Sequence, residues 1–257
     1  MPEAALPAPP LGLLEALRSA RRPLVLTGAG MSAESGIATF RGGEDSLWSR
    51  FDPTQLATAD AFDADPALVW AWYRWRMAKL RMSQPHAGHA ALAALARLRP
   101  GLVLATQNVD DLHERAGGRG VLHLHGEIAA TRCRRCDRPQ AIEIDPAWAE
   151  RPQLRAAPPA CAVCGGPLRP GVVWFGESPP ARALRAAIGA AQVADLVLVV
   201  GTSGLVYPAA GLPAAAPASV PRYEINPEPS ALSAAMDGLW RAQAGVALPR
   251  LVELLAQ

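Results

Sequence analysis

The sequence predicts an α/β fold, a parallel sheet with helices on both faces, interrupted by a smaller domain. Three observations carry this. Short apolar runs alternate with helical segments in the first and last thirds of the 257-residue chain, the pattern of parallel strands joined by crossover helices. The first run, Pro23 to Thr27, passes directly into Gly28-Ala29-Gly30-Met31-Ser32-Ala33. A stretch from Thr131 to Pro170, which holds every cysteine, has no strong periodicity and breaks the alternation, so it reads as an inserted module.

Taken in order, Pro2 to Pro10 is a loose arm, and Leu11 to Ala20 spaces its apolar residues as a helix does. Arg41 to Pro53 is polar and irregular. Pro66 to Met82 reads as a helix with proline in its first turn, followed by a second, Ala-rich helix over His86 to Leu98. Leu102 to Ala105 and Val121 to Leu124 are short buried strands, separated by a helix-like segment that stops at Gly117-Gly118. Val172 to Phe175 is short and apolar. Ala181 to Ala191 is a helix, Leu196 to Val200 and Arg222 to Ile225 are strands, and Arg250 to Leu255 closes the chain as a helix.

Half the residues are hydrophobic and 19% are charged, enough for a packed core. The net charge of +2 leaves no global footprint for nucleic acid or an anionic membrane. The N-terminal stretch lacks the basic start and unbroken apolar run of a secretory signal. No apolar run reaches the roughly 18 residues of a membrane span; Leu196 to Val200 is cut off by Gly201-Thr202-Ser203-Gly204. The expected compartment is the cytoplasm, where cysteines stay reduced.

Strand–Gly-Ala-Gly–helix is a phosphate-binding arrangement: glycines admit a pyrophosphate and the helix start offers N–H groups to it. Gly28, Gly30 and Ala33 fit G-x-G-x-x-A. The acidic residue expected about 20 positions on, at the end of a second strand, is missing; Asp45 and Asp52 lie near that distance but in loop-like sequence. On the loop alone, a tight turn with no ligand is an equal reading.

The stretch from Gly101 to Glu127 organises the chain. One apolar run turns at once into Thr106, Gln107, Asn108, Asp110 and Asp111; the next ends in His125-Gly126-Glu127. Two strands thus end in polar residues able to face one crevice. Among the five histidines, His86 and His89 start a helix, His113 lies in a polar helix, and His123 and His125 share one strand face. His125, at that strand's end, suits a general base. A hydrogen-bonded structural histidine is the competing reading.

Cys133 and Cys136 form one C-x-x-C and Cys161 and Cys164 another, with 24 residues between the pairs. Two such knuckles present four thiolates to one tetrahedral zinc, and four thiolates leave no open position, so the metal is structural. A redox pair or disulfides are the rival readings. Arg132, Arg134, Arg135 and Arg138 around the first knuckle read as a solvated face.

Taken together, the segments GAGMSAESGIATFRG (28–42), TQNVDDLHERAG (106–117), LHGE (124–127), the two cysteine pairs, VVWFGE (172–177), GTSGLVYPAA (201–210) and EINPE (224–228) resemble the sirtuins, NAD-dependent protein deacylases. The resemblance implies a Rossmann-like NAD-binding domain over residues 1–42, 86–128 and 172–257. A helical module (43–85) and a zinc module (129–171) would form the small domain. It implies NAD as co-substrate and one structural zinc. Gly28, Ala29, Gly30, Ser32, Phe40, Arg41, Gln107, Asn108 and Asp110 would hold the pyrophosphate, ribose and nicotinamide. Gly201, Thr202, Ser203 and Asn226 would hold the adenosine half, with Ala244 at the adenine. His125 resembles the family's base, with Asn108 and Asp110 completing the catalytic set. Val173, Trp174, Phe175, Gly176 and Glu177 would pair with an extended substrate peptide by β-augmentation.

The Thr39-Phe40-Arg41 version of the loop resembles the subgroup that removes succinyl and malonyl groups, which also carries Tyr-x-x-Arg, here Tyr73 and Arg76. Residues at i and i+3 share a helix face, and a phenol beside a guanidinium can bind a carboxylate. Periodicity alone favours packed Trp70, Trp72 and Tyr73 with Arg74, Arg76, Lys79 and Arg81 in water. The expected function is therefore NAD-dependent removal of acetyl, succinyl or malonyl groups from protein lysines, with acyl-lysine proteins as partners and neither membrane nor specific nucleic acid. Mono-ADP-ribosyl transfer, a nicotinamide oxidoreductase and a zinc-ribbon nucleic-acid module are the alternatives.

Overall fold

The computed structural model describes residues 6–37 and 51–257. Among these, strands run over Pro23–Thr27 (β1), Val103–Thr106 (β2), Leu122–His123 (β3), Gly126–Cys133 (β4), Leu168–Val172 (β5), Leu196–Val200 (β6), Arg222–Ile225 (β7) and Gly238–Trp240 (β8). The chain divides into two compact units. One takes in the chain to Ser35, Pro85–Leu124 and Ala181–Gln257; the other takes in Gly36–Gln84 and His125–Pro180.

The first unit is a six-stranded sheet of order β3-β2-β1-β6-β7-β8, parallel throughout. Every residue of β1 and β6 is buried, as continuous apolar runs require of strands covered on both faces. Alternation along them feeds two cores. Val25, Leu196, Leu198 and Val200 meet the helices Leu13–Ser19, Ala87–Leu98 and Ala244–Leu255 on one face. Leu24, Leu26, Val197 and Val199 meet Ala187 and Ala191 of the helix Ala181–Gln192 on the other. Each fully buried Leu or Val contributes roughly 1.5–3 kcal/mol. The expected α/β sheet with helices on both faces is therefore present. Strand order reverses at β1, which has β2 on one side and β6 on the other. That reversal opens a crevice at the carboxyl ends of β1 and β6.

In the second unit β4 pairs antiparallel with β5. The helix Pro66–Met82 starts on the expected proline, with Asp65 as cap accepting from the Leu68 amide at 3.1 Å. Ion pairs tie its flanks: Arg155 to Asp65 at 2.6 Å and Arg134 to Asp63 at 2.6 Å.

Four departures from the sequence reading have physical causes. The strand expected to reach His125 ends at His123. Leu124 and His125 form a turn, because Gly126 takes φ 73 and lies so close to Gly171 that a Cβ there would sit 2.1 Å from the Gly171 oxygen. The sequence reading missed β4 and β8. The last helix begins at Ala244, not Arg250. Pro249 lies inside it, and the burial of Ala244, Ala247, Leu248 and Leu251 outweighs the amide lost at the proline. Finally, the expected divisions after residues 128 and 171 lie instead at Leu124 and Pro180, since β4–β5 pairing gathers the chain around both.

Candidate active site

Two loops meet at the carboxyl ends of β1 and β6. The Gly28 amide donates to the Val200 oxygen at 3.0 Å and the Gly30 amide to the Gly201 oxygen at 2.7 Å. A Cβ on Gly28 would lie 2.7 Å from the Thr202 Cβ, one on Gly30 2.8 Å from the Gly201 Cα, and one on Gly201, at φ 62, 2.4 Å from the Met31 nitrogen. The glycines are thus required first by loop-on-loop packing. The helical turn Gly30–Ala33 also has its Met31 and Ser32 amides engaged by the Gly28 and Ala29 oxygens.

Behind these loops lies a polar floor. Asn108 is buried; its Nδ2 donates to the Gly28 oxygen at 3.0 Å and to Ser32 Oγ at 2.9 Å. Ser32 Oγ in turn donates to Asp110 Oδ2 at 2.9 Å, while Asp110 Oδ1 accepts from the Leu112 amide. Burial pushes the Asp110 carboxyl up from its ordinary value, against the hydrogen bonds from Ser32 and the Leu112 amide. The Asn108 amide donates to Thr106 Oγ1 at 3.0 Å, Thr27 Oγ1 donates to Thr106 Oγ1 at 2.8 Å, and His113 Nε2 hydrogen-bonds Thr27 Oγ1 at 3.1 Å. His123 Nδ1 meets the Asn108 oxygen at 3.2 Å and its Nε2 meets Glu114 at 2.9 Å. Burial works to raise the Glu114 carboxyl, but the bond with His123 and the backbone outweigh it and hold it down.

Two more histidines back this floor. His86 caps its helix, its Nδ1 accepting from the Gly88 amide and its Nε2 meeting the Met31 oxygen at 2.6 Å. His89 Nδ1 accepts from the His86 amide. Burial depresses His89 to about 3 and His113 to about 4, so both are neutral. His89 Nε2 and His113 Nδ1 have no partner among the described residues, and both rings line one small cavity with Leu92 and Leu104.

At the end of β6, Thr202 Oγ1 accepts from Gln107 Nε2 at 2.9 Å. Asn226 Nδ2 donates to the Thr202 oxygen at 3.0 Å and to Glu224 Oε1 at 3.1 Å. Ser203 is exposed. Ala244, only 4% exposed, packs in the core of its helix.

In the second unit, His125 is partly buried and its carbonyl accepts from the Val173 amide at 2.8 Å. The Phe175 amide donates to the Ala57 oxygen at 2.9 Å, the Glu177 amide to the Trp174 oxygen at 2.9 Å, and the Trp174 amide to Glu177 Oε2 at 3.0 Å. Those four amides are engaged inside the unit, and exposed Gly176, at φ 85, keeps its amide outside these bonds. Tyr73 is buried, and its hydroxyl accepts from Trp174 Nε1 at 3.0 Å. The Arg76 guanidinium carbon lies 4.7 Å from the Trp72 ring centre and 5.7 Å from that of Tyr73. Trp70, Trp72 and Tyr73 pack as periodicity indicated, but Arg76 stacks over two of them where a purely solvated arginine would not.

The four cysteines converge, all Sγ atoms within 4.8 Å of one another. Cys133 to Cys164 is 3.5 Å and Cys136 to Cys161 is 3.7 Å. Four sulfurs about 2.3 Å from one zinc would stand about 3.8 Å apart, whereas a disulfide needs about 2.05 Å. The Arg135, Cys136 and Val163 amides point at the sulfurs. Each knuckle ends in a left-handed residue, Asp137 at φ 58 and Gly165 at φ 68. The residues fit a tetrahedral zinc. Around the first knuckle, Arg132 pairs with Asp137 at 3.0 Å, Arg134 with Asp63, and Arg135 with the Cys164 oxygen, so these arginines are engaged and not merely solvated.

The structure therefore brings Gly28, Ala29, Gly30, Ser32, Gln107, Asn108, Asp110, Gly201, Thr202, Ser203 and Asn226 to neighbouring strand ends of the first unit. It places His125, Tyr73, Arg76 and 173–177 in the second. Phe40, Arg41 and Asp45 lie outside the described residues. Asp52 caps the helical turn Pro53–Leu56, accepting from the Thr54 amide. Sequence reasoning missed Thr27, His113 and Arg169. Only Thr27 gave a signal: it closes its strand as Thr106 closes the neighbouring one.

A family model described as the Sir2 family matches residues 28–208. A Pseudomonas aeruginosa protein named NAD-dependent protein deacylase 1 is 49% identical over 243 residues, covering 93% of this chain and 96% of that one. A solved Sir2 homolog–NAD complex matches with a TM-score of 0.86 at 44% identity, over 95% of this chain and 93% of that one. A mutant Sir2 homologue with 2′-O-acetyl ADP ribose matches at 0.87 and 42%, over 96% and 97%. The paired glycine loops, the Asn108–Ser32–Asp110 floor and the four-cysteine cluster lie in a chain matched along nearly its whole length, and the chain belongs to the Sir2 family.

Proposed function

We propose that the chain removes acyl groups from protein lysines with consumption of NAD, giving nicotinamide, O-acyl-ADP-ribose and free lysine, and that it accepts succinyl and malonyl as well as acetyl groups. The observation that carries the reading is the buried chain Asn108–Ser32–Asp110 at the ends of adjacent parallel strands. It is built to present amide and carboxyl groups at the switch point of the sheet. The relative named as a deacylase, and the solved relatives titled with NAD and with an acetylated ADP-ribose, support it.

NAD, as co-substrate, supplies a ribose carbon that becomes electrophilic as nicotinamide leaves. The chain's residues do the rest. Asn108 and Asp110 orient the ribose and the nicotinamide amide, so part of the rate comes from positioning. Gly28, Ala29, Gly30, Ser32 and Gln107 hold the pyrophosphate side with Phe40 and Arg41, and Gly201, Thr202, Ser203, Asn226 and Ala244 the adenosine side. The acyl-lysine carbonyl oxygen would bond to the electrophilic ribose carbon as nicotinamide departs. His125 would take a proton from a neighbouring ribose hydroxyl as its oxygen attacks the acyl carbon. The acyl carbon–lysine nitrogen bond would break to free lysine, and water would add to the acyl carbon as the first oxygen is let go, leaving the acyl ester. Zinc holds its module together and takes no part in the chemistry. Tyr73 and Arg76 bind the carboxylate of an acidic acyl group, the guanidinium giving two bonds.

The test is nicotinamide release from acetyl-, succinyl- and malonyl-lysine peptides by wild type and Arg76→Ala. Wild type turns over all three. Arg76→Ala lowers the succinyl-to-acetyl ratio of kcat/KM by at least about tenfold, the value of one charged hydrogen bond. No release with any peptide would sink the deacylase reading. Equal loss on all three would sink the carboxylate role.

A further inference from the structure

We infer that Trp174 is a specificity-positioning residue: its indole N–H fixes the Tyr73 hydroxyl as a donor toward the carboxylate of an acidic acyl group. The inference rests on the acidic-acyl reading above and concerns side chains of the second unit alone.

Tyr73 is 1% exposed, and among the described residues its hydroxyl makes one hydrogen bond, accepting from Trp174 Nε1 at 3.0 Å. An indole N–H can only donate, whereas a phenol can both donate and accept. Occupying the phenol's acceptor side with a donor leaves the O–H to be given elsewhere. A carboxylate, which only accepts, is the matching ligand; a neutral acetyl methyl offers nothing to such a proton. Burial also pushes the phenol up to about 12, against the pull of Arg76, so it keeps its proton.

The indole is held rigidly enough for this task. Trp174 is 1% exposed, its amide donates to Glu177 Oε2, and its ring lies 5.3 Å from that of Phe62. The Arg169 guanidinium carbon sits 3.4 Å from the Trp174 ring centre, and both its arms engage Glu177 in a bidentate pair. Burial works against the Glu177 charge, but the Arg169 fork prevails and holds that carboxyl below its ordinary value. Arg169, its charge met by Glu177, holds the Trp174 ring from one side, while Arg76 lies over Tyr73 as the cation beside the phenol.

The experiment compares wild type, Trp174→Phe, Tyr73→Phe and the double variant on succinyl- and acetyl-lysine peptides with NAD. Trp174→Phe keeps an aromatic ring under Arg169 but lacks the N–H. It is expected to lower the succinyl-to-acetyl ratio of kcat/KM about 5–10-fold, the loss falling on the succinyl KM. The double variant is expected to match Tyr73→Phe, since without a phenol the indole has nothing to orient. Equal effects on both peptides, or additive effects in the double variant, overturn the role. If Trp174→Phe fails to fold, 3-benzothienylalanine at position 174, of the same shape and without an N–H, gives the same two readouts. Absence of succinyl turnover by wild type overturns the acidic-acyl reading and this role together. Wild-type turnover with unshifted selectivity in the variants overturns the role alone.

Discussion

The two units hold their polar groups by opposite means. In the first, Asn108, Ser32, Thr106, Thr27 and His113 are joined mainly by neutral hydrogen bonds anchored in the main chain at strand ends, with the carboxyls of Asp110 and Glu114 only at the margins of the network. In the second, full charges do the holding: Arg169 with Glu177, Arg134 with Asp63, Arg155 with Asp65, and four convergent cysteines. A neutral network inside a close-packed sheet is sensitive to single atoms, because a donor removed there leaves a buried acceptor unsatisfied. The cysteine knuckles are sensitive to ions, because few apolar contacts back them up. Among the described residues the cysteine cluster's buried set is Cys133, Cys161 and Leu168, with Ile142 packed against it.

The comparison can be broken most severely through the metal. Chelation of zinc, or Cys161→Ser, should unfold the second unit, since structural zinc sites contribute on the order of 10–16 kcal/mol. Hydrogen exchange should show loss of protection in β4 and β5 while β1 and β6 stay protected. Persistent protection of β4 in the metal-free protein would refute the contrast. Next in size is Asn108→Ala, which strips donors from the Gly28 oxygen and Ser32 Oγ. Nicotinamide release should fall about a hundredfold, the cost of misplacing a reacting group by about 1 Å, with zinc content unchanged. An Asn108→Ala enzyme within a few-fold of wild type would remove Asn108 from the proposed site.

The smallest effect is on pH. His89 and His113 are held near 3 and 4, below the ordinary value of 6.5, so the unfolded chain takes protons first as the pH falls. The stability from their neutral burial is complete above pH 6.5 and declines as pH drops from there toward 4 and 3. The limiting slope is about 1.4 kcal/mol per pH unit for each imidazole. Urea unfolding at about pH 7 and about pH 5 checks it, and His89→Gln should flatten the profile. An unchanged slope would remove His89 from the cause.

What the sequence disclosed follows the same division. β1 and β6 were legible because strands buried on both faces read as nearly unbroken apolar runs. The helix Pro66–Met82 was legible because it starts on a capped proline. The cysteine knuckles announce themselves by spacing. β4 was not legible: Glu127, Ala129 and Ala130 are exposed, and the strand exists because β5, far along the chain, supplies its hydrogen bonds. In the site, Gln107, Asn108 and Asp110 stood out as polar tips after an apolar run. The threonine–histidine relay behind them did not, because a threonine closing a strand looks like any β-former until its neighbour is known. The glycines were legible as a loop, but their first constraint, contact with Gly201 and Thr202, lies in a segment no local pattern connects to them.

That contact also sets a timetable for synthesis. Gly30 donates its amide to an oxygen on Gly201, and β1 gains its second neighbour only when Leu196–Val200 exists. At about 5–20 residues per second, the ribosome takes on the order of ten seconds or more to travel from one glycine to the other. Throughout that interval the nascent chain carries β1 with at least one edge bare, a template for mispairing that a holding chaperone would have reason to cover.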